Sequence, residues 1–132
     1  MSQLCFLSHS KIDGEQHTLR LAEDLRAAGF EVWIDVDNLK PDEDWDDQIS
    51  EALKRCTVVL LVMTPDSVLS PNCKTEWSRG LRYKKSVVPL LLEFVEEPPL
   101  RLESRQHVDF TEDYDAGKQK LVTYLNDLNT PA

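Results

Sequence analysis

The segment Cys56-Thr57-Val58-Val59-Leu60-Leu61-Val62-Met63 constrains the fold more than any other, because it is almost uninterrupted β-branched and aliphatic sequence. A strand with one wet face alternates polar and apolar residues. This one has no polar face, which predicts a strand covered on both sides in the interior of a parallel sheet. Thr64, Pro65 and Asp66 end it. Leu4 to Ser8 predicts another buried strand, opening onto small polar residues. Phe30 to Asp35 and Val87 to Leu92 predict two more, and His107 to Phe110 a short fifth.

Helical patterns alternate with these strands. Leu21, Ala22, Leu25 and Ala28 form a stripe, Asp13 with Gln16 forms a capping-box pattern before it, and Gly29 stands where a left-handed C-terminal cap belongs. Trp45, Ile49, Ala52 and Leu53 mark the inner face of a second helix. Ser70-Pro71 starts a third that runs to about Tyr83, since proline is tolerated at the first helical position. A fourth, from about Asp115, is expected to bury Leu121, Leu125 and Leu128. Val36 to Asp44 and Glu93 to Arg105 read as loops, and Trp33, Trp45 and Trp77 as packing residues. The alternation predicts an α/β, flavodoxin-like three-layer fold: a five-stranded parallel sheet with right-handed crossovers and helices on both faces. Ligands in such sheets bind beyond the carboxyl ends of the strands, which points to the loops after Ser8, Asp35 and Met63.

At 132 residues the chain fits one domain, expected over residues 1–128, with 129–132 (Asn-Thr-Pro-Ala) as a tail or the start of a linker. With 15 basic against 24 acidic residues the formal charge is -9, which leaves no electrostatic footprint for nucleic acid or an anionic membrane. Cys5, Cys56 and Cys73 are odd in number and lack CxxC or Cys/His spacing, so neither a metal site nor a disulfide framework is expected. No signal-peptide pattern or membrane-length apolar run is present, and the expected location is the cytoplasm.

Three segments stand in order at the expected strand ends: Phe6-Leu7-Ser8-His9-Ser10, then Asp35 and Leu39-Lys40-Pro41-Asp42-Glu43-Asp44-Trp45, then Ser70-Pro71-Asn72-Cys73-Lys74-Thr75-Glu76-Trp77. Jointly they resemble the TIR domain family and span most of the chain. The resemblance implies a mobile loop after the second strand and one of two trades. One is an NAD⁺ glycohydrolase or ADP-ribosyl cyclase, often in bacterial anti-phage immunity. The other is a non-catalytic adaptor that signals by homotypic association. It implies NAD⁺ as a substrate rather than a cofactor, and other TIR domains as partners in a homo-oligomer or filament on activation.

Glu76 matches the family's catalytic glutamate, on one helix face with Cys73; the competing reading is a solvated early-helix glutamate favoured by the helix dipole. The departing nicotinamide is neutral, so no general acid is needed, and a lone carboxylate suffices to stabilise an oxocarbenium-like ribose. Capture by water gives ADP-ribose, and capture within the molecule a cyclic product. The family places ring-stacking and phosphate-contacting groups after the first strand, here Ser8, His9, Ser10 and Lys11. For Lys11 a surface lysine, and for His9 an ordinary loop histidine, remain the alternatives. Lys40 and Glu43 occupy loop positions that in the family approach ligand or a neighbouring domain, against the reading of an acidic solvated turn. Two positions depart from the pattern: Asn72 replaces an aromatic residue over which nicotinamide can stack, and Asp42 stands where glycine is common. The four glycines, Gly14, Gly29, Gly80 and Gly117, form no GxGxxG, which disfavours a Rossmann dehydrogenase. A receiver-like phosphoacceptor domain wants an acidic cluster after the first strand, and Ser8-His9-Ser10 supplies none. A nucleoside deoxyribosyltransferase, which uses a carboxylate on a related sheet, stays open.

Overall fold

The computed structural model describes residues 3–34, 44–98, 102 and 107–129. Among them run β1 (Leu4–Ser8), α1 (Glu15–Ala27), β2 (Glu31–Trp33), α2 (Trp45–Arg55), β3 (Val58–Met63), α3 (Pro71–Arg82), β4 (Ser86–Leu91), β5 (Val108–Asp109) and α4 (Tyr114–Asn129). The five strands form one parallel sheet in the order β2-β1-β3-β4-β5. β3 pairs with β1 on one side and β4 on the other, and all six of its residues are buried. The continuous apolar run thus occupies the central strand expected of it.

Side-chain alternation on each strand builds two cores. Cys5, Leu7, Val58, Leu60, Val62, Val88 and Leu90 face the side covered by Leu21 and Leu25 of α1 and Leu121 and Leu125 of α4. Phe6, Val59, Leu61, Met63 and Val87 face the side covered by Ala52 and Leu53 of α2 and Cys73 and Trp77 of α3. There Phe6 stacks on Trp33, with ring centroids 4.9 Å apart. Gly29 closes α1 with φ +96, the left-handed conformation that glycine adopts without Cβ strain.

Three expectations are corrected. The capping box does not form: Gly14 is the N-cap of α1 and no side chain caps the helix, because the Asp13 carboxylate is drawn to the loop after β3 instead. Trp45 is not a core residue. It opens α2 beyond the end of the sheet, where the apolar stripe has nothing left to pack against, and is 54% exposed. Leu128 is likewise exposed, at the far end of α4, whereas Leu121 and Leu125 are fully buried. Asp35 and most of the two expected loops, 36–43 and 99–105, lie outside the described residues, Leu102 excepted.

Gly80 sets how closely α3 approaches the sheet: a Cβ there would lie 2.8 Å from Cγ2 of Val59, itself fully buried on β3. Gly80→Ala should therefore lower stability by about 1–2 kcal/mol, since overpacking costs about 1–3 and the gain in helix propensity returns up to about 1. Equilibrium urea denaturation measures it. An unchanged or raised midpoint would mean that Val59 yields freely.

Candidate functional site

Strand order reverses between β1 and β3, and a crevice opens beyond the carboxyl ends of strands at such a point. β1 ends there at Ser8, whose side chain is completely buried. Its hydroxyl donates to Oε1 of Glu76 at 2.7 Å, a contact across 68 residues of sequence. Local sequence brings Glu76 to that place. Ser70 Oγ accepts the Cys73 amide at 3.3 Å and Pro71 occupies the first turn, so α3 starts immediately after the loop that follows β3. Cys73, Trp77 and Gly80 then turn toward the sheet. Glu76 precedes Trp77 by one residue, about 100° around the helix, and so stands at the margin of the buried stripe, half-buried.

The crevice continues as a groove of about 420 Å³ between α2 and α3. Glu76, Asn72 and Lys11 line it. Trp45, Ile49 and Leu53 of α2 form an apolar wall, and Asp46 and Arg79 add one charge of each sign. Arg79 donates from Nη1 to the Tyr83 hydroxyl at 3.4 Å, and that hydroxyl lies 3.3 Å from Ser50 Oγ, which bridges α3 to α2 at one end of the groove. Among the described residues no group of three His, Cys, Asp or Glu side chains is disposed to hold a metal ion.

The other expected residues are placed differently. His9 and Ser10 are buried and do not line the groove. Ser10 donates to the Asp66 carboxylate and accepts the Ile12 amide at 3.1 Å, so its hydroxyl shapes the loop that carries Lys11. Asp13 completes this latch by accepting from Thr64 Oγ1 at 2.6 Å and from the Asp66 amide at 3.0 Å. Cys73 is buried against the sheet, and burial pushes its thiol up, aided by the nearby Glu76 charge and opposed by hydrogen bonds with Ser70 and Ser8. Lys40, Glu43 and Asp42 lie outside the described residues.

The sequence reading missed Arg79 and misread Trp45. Arg79 had a signal: it follows Glu76 by three positions and therefore shares its helix face. Trp45 had the weaker one of being the first residue of its helix, where an apolar stripe can outrun the core.

A family model described as a TIR domain matches residues 5–122. A Brachypodium distachyon protein named as a probable 2' cyclic ADP-D-ribose synthase, BdTIR, is 25% identical over 89 residues, which are 67% of this chain and 40% of that protein. The uncharacterized protein y4cD of Sinorhizobium fredii is 32% identical over 123 residues, 88% of this chain and 19% of that one. The chain thus spans less than half the length of these curated relatives. In fold it is similar to the TIR domain of the Toll-related receptor TRR-2 of Hydra magnipapillata, with a TM-score of 0.81 at 20% identity over 96% of this chain and 98% of the other.

The cysteines give a direct check on this packing. All three are free and buried, and burial pushes the Cys5 thiol up to about 12 and that of Cys56 to about 11, so thiolate is scarce below those values. At pH 8 the native protein should take up no iodoacetamide over a period in which the denatured chain takes up three equivalents, read by intact mass. Rapid labelling of Cys73 in the native protein would mean that α3 stands away from the sheet.

Proposed function

The chain belongs to the TIR domain family, and from that premise we propose that it cleaves the nicotinamide glycosidic bond of NAD⁺ with Glu76 as the central carboxylate. The observation that carries this reading is the 2.7 Å hydrogen bond from the buried Ser8 hydroxyl to Glu76 Oε1 at the edge of an open groove. A solvated early-helix glutamate has no need of a partner brought from another element. Ser8 serves as a positioning residue, fixing the carboxylate so that little reorganisation accompanies charge development. Its likeness to a probable cyclic ADP-ribose synthase over two thirds of the chain supports the same reaction class.

In the reaction, the bond between C1′ of the ribose and the pyridinium nitrogen breaks, and its electron pair neutralises the ring. Positive charge moves onto the ribose, where Glu76 stabilises it. Water adding at C1′, with loss of a proton, gives ADP-ribose; an oxygen or nitrogen of the same molecule gives a cyclic product. Trp45, across the groove from Asn72, supplies the aromatic surface that position 72 lacks. No cofactor takes part, and NAD⁺ is consumed.

The exposed apolar side chains Ile12, Leu69 and Phe94 follow β1, β3 and β4 on the same end of the sheet as Glu76, and this favours association of copies around the site. A purely adaptor function is the second reading, favoured by those same side chains. A charge of -9 opposes assembly, so dilute protein is expected to be inactive and added salt to help by screening. In a cell such association would serve immune, anti-phage signalling.

Glu76→Gln should lower nicotinamide release at least about 100-fold, the scale of losing one transition-state electrostatic partner, with the thermal midpoint nearly unchanged. Chromatography of NAD⁺ digests reads the first and a melting curve the second. Retained turnover in the folded variant removes Glu76 from the mechanism, and an inactive wild type at high concentration leaves the adaptor. Wild-type activity should also rise more steeply than linearly with protein concentration; strict proportionality in a species that light scattering finds monomeric with NAD⁺ present would rule out a site completed by a second copy.

A further inference from the structure

The groove between α2 and α3 is electrically polarised along its length. α2 opens with Asp44, Asp46 and Asp47, all exposed, beside the exposed indole of Trp45. Asp46 and Trp45 line the groove from the first turn of α2, and Asn72 lines it from the first turn of α3. Glu76 comes one turn further along. Arg79 follows at about 4.5 Å more of helix rise, and Ser50 and Leu53 of α2 line the same groove. The Arg79 guanidinium donates to the Tyr83 hydroxyl, Arg82 follows it at the end of α3, and both arginine positions flank a depression of about 330 Å³ that Lys74, Thr75 and Ser78 also line. Thr75 and Arg79 border both hollows, so the two adjoin. Lys11 apart, which enters from the loop after β1, the acidic and aromatic side chains at the start of α2 are thus separated from Arg79 by the carboxylate.

We propose that this gradient fixes the direction in which the dinucleotide lies, with its cationic ring at Trp45 and Asp46, its scissile ribose at Glu76 and its phosphate at Arg79. The inference rests on the reading of Glu76 as the carboxylate beside that ribose. The substrate is itself a dipole: a pyridinium ring carries positive charge on one side of the ribose and phosphate carries negative charge on the other. An aromatic face attracts a cation, and the neighbouring carboxylate adds to the attraction. The reverse orientation places phosphate against Asp46 and pyridinium against Arg79, two like-charge contacts in place of two favourable ones. Lys11 offers the other cation of the groove, but it is an exposed ammonium on a loop, whereas Arg79 is half-buried and its planar fork matches two phosphate oxygens at once. The same order gives the neutral nicotinamide an exit over Trp45 while the phosphate stays anchored. Recognition at the basic end also makes a 5′-phosphorylated ribose the expected minimum substrate.

Two half-ligands separate the ends, and binding to the Glu76→Gln protein reads them without turnover. ADP-ribose carries the phosphates and no ring; nicotinamide riboside carries the cationic ring and no phosphate. Arg79→Gln should weaken ADP-ribose at least about tenfold, the scale of one charge-assisted bond, and leave nicotinamide riboside within about twofold. Trp45→Ala should do the opposite, and Lys11→Ala should affect ADP-ribose less than Arg79→Gln does. Arg79→Lys should recover part of the loss, and Tyr83→Phe, which keeps the cation, should retain most of the binding. The proposal is overturned if Arg79→Gln weakens both ligands equally, if the two variants exchange their preferences, or if ADP-ribose depends on Lys11 alone. Failure of the hydrolase reading is told apart by the wild type, which would then release no nicotinamide from NAD⁺ whatever these titrations show.

Discussion

β3 has no residue that can face water, and the architecture follows from that constraint. A strand of six buried residues needs a hydrogen-bonded neighbour on each side and a helical layer on each face. Parallel neighbours require crossovers, and right-handed ones deliver α1 to one face and α2 and α3 to the other, while α4, which follows the last strand, packs on the face of α1. With β1 next to β3, the chain must reverse its direction of travel across the sheet between them. The crevice holding Ser8 and Glu76 is therefore a consequence of where the most apolar strand sits.

The parts of this fold that could be read from sequence are those where local chemistry and tertiary packing agree. The run 58–63, the Ser70-Pro71 helix start and the glycine closing α1 each have one stable solution, and the structure adopts it. The misreadings come from competition between levels. Asp13 has the spacing of a capping residue, but Thr64 and the Asp66 amide offer its carboxylate two donors, while the first turn of α1 is left to Gly14. Trp45 and Leu128 continue apolar stripes past the ends of the layers they pack against, and periodicity alone does not say where a layer stops.

The candidate site divides in the same way. Glu76, Lys11 and Asn72 converge on the groove because each is tied to a strand end or a helix start. The family resemblance groups Ser10 with them and a shared helix face groups Cys73 with Glu76, but the Ser10 hydroxyl turns to Asp66 and Cys73 sits deeper on its helix face, against the sheet. Arg79 is the opposite case: it donates to Tyr83, whose hydroxyl meets Ser50 of α2 only once α2 and α3 lie side by side.

The Asp13 latch also closes a loop of connections. From Ser8 the chain runs through Ser10 to Asp13, crosses by hydrogen bonds to Thr64 and Asp66, follows the turns 64–70 into the first turn of α3, and returns from Glu76 to Ser8. Such a ring gives the carboxylate two independent moorings, one through its own hydrogen bond and one through the backbone of its helix. Cutting either link opens the ring and leaves a tethered but wider arc; cutting both leaves the carboxylate placed mainly by the packing of Cys73 and Trp77 on the sheet. Substitutions at positions 8 and 13, remote in role and only five residues apart, are thus expected to be epistatic, each concealing the damage done by the other until the two occur together.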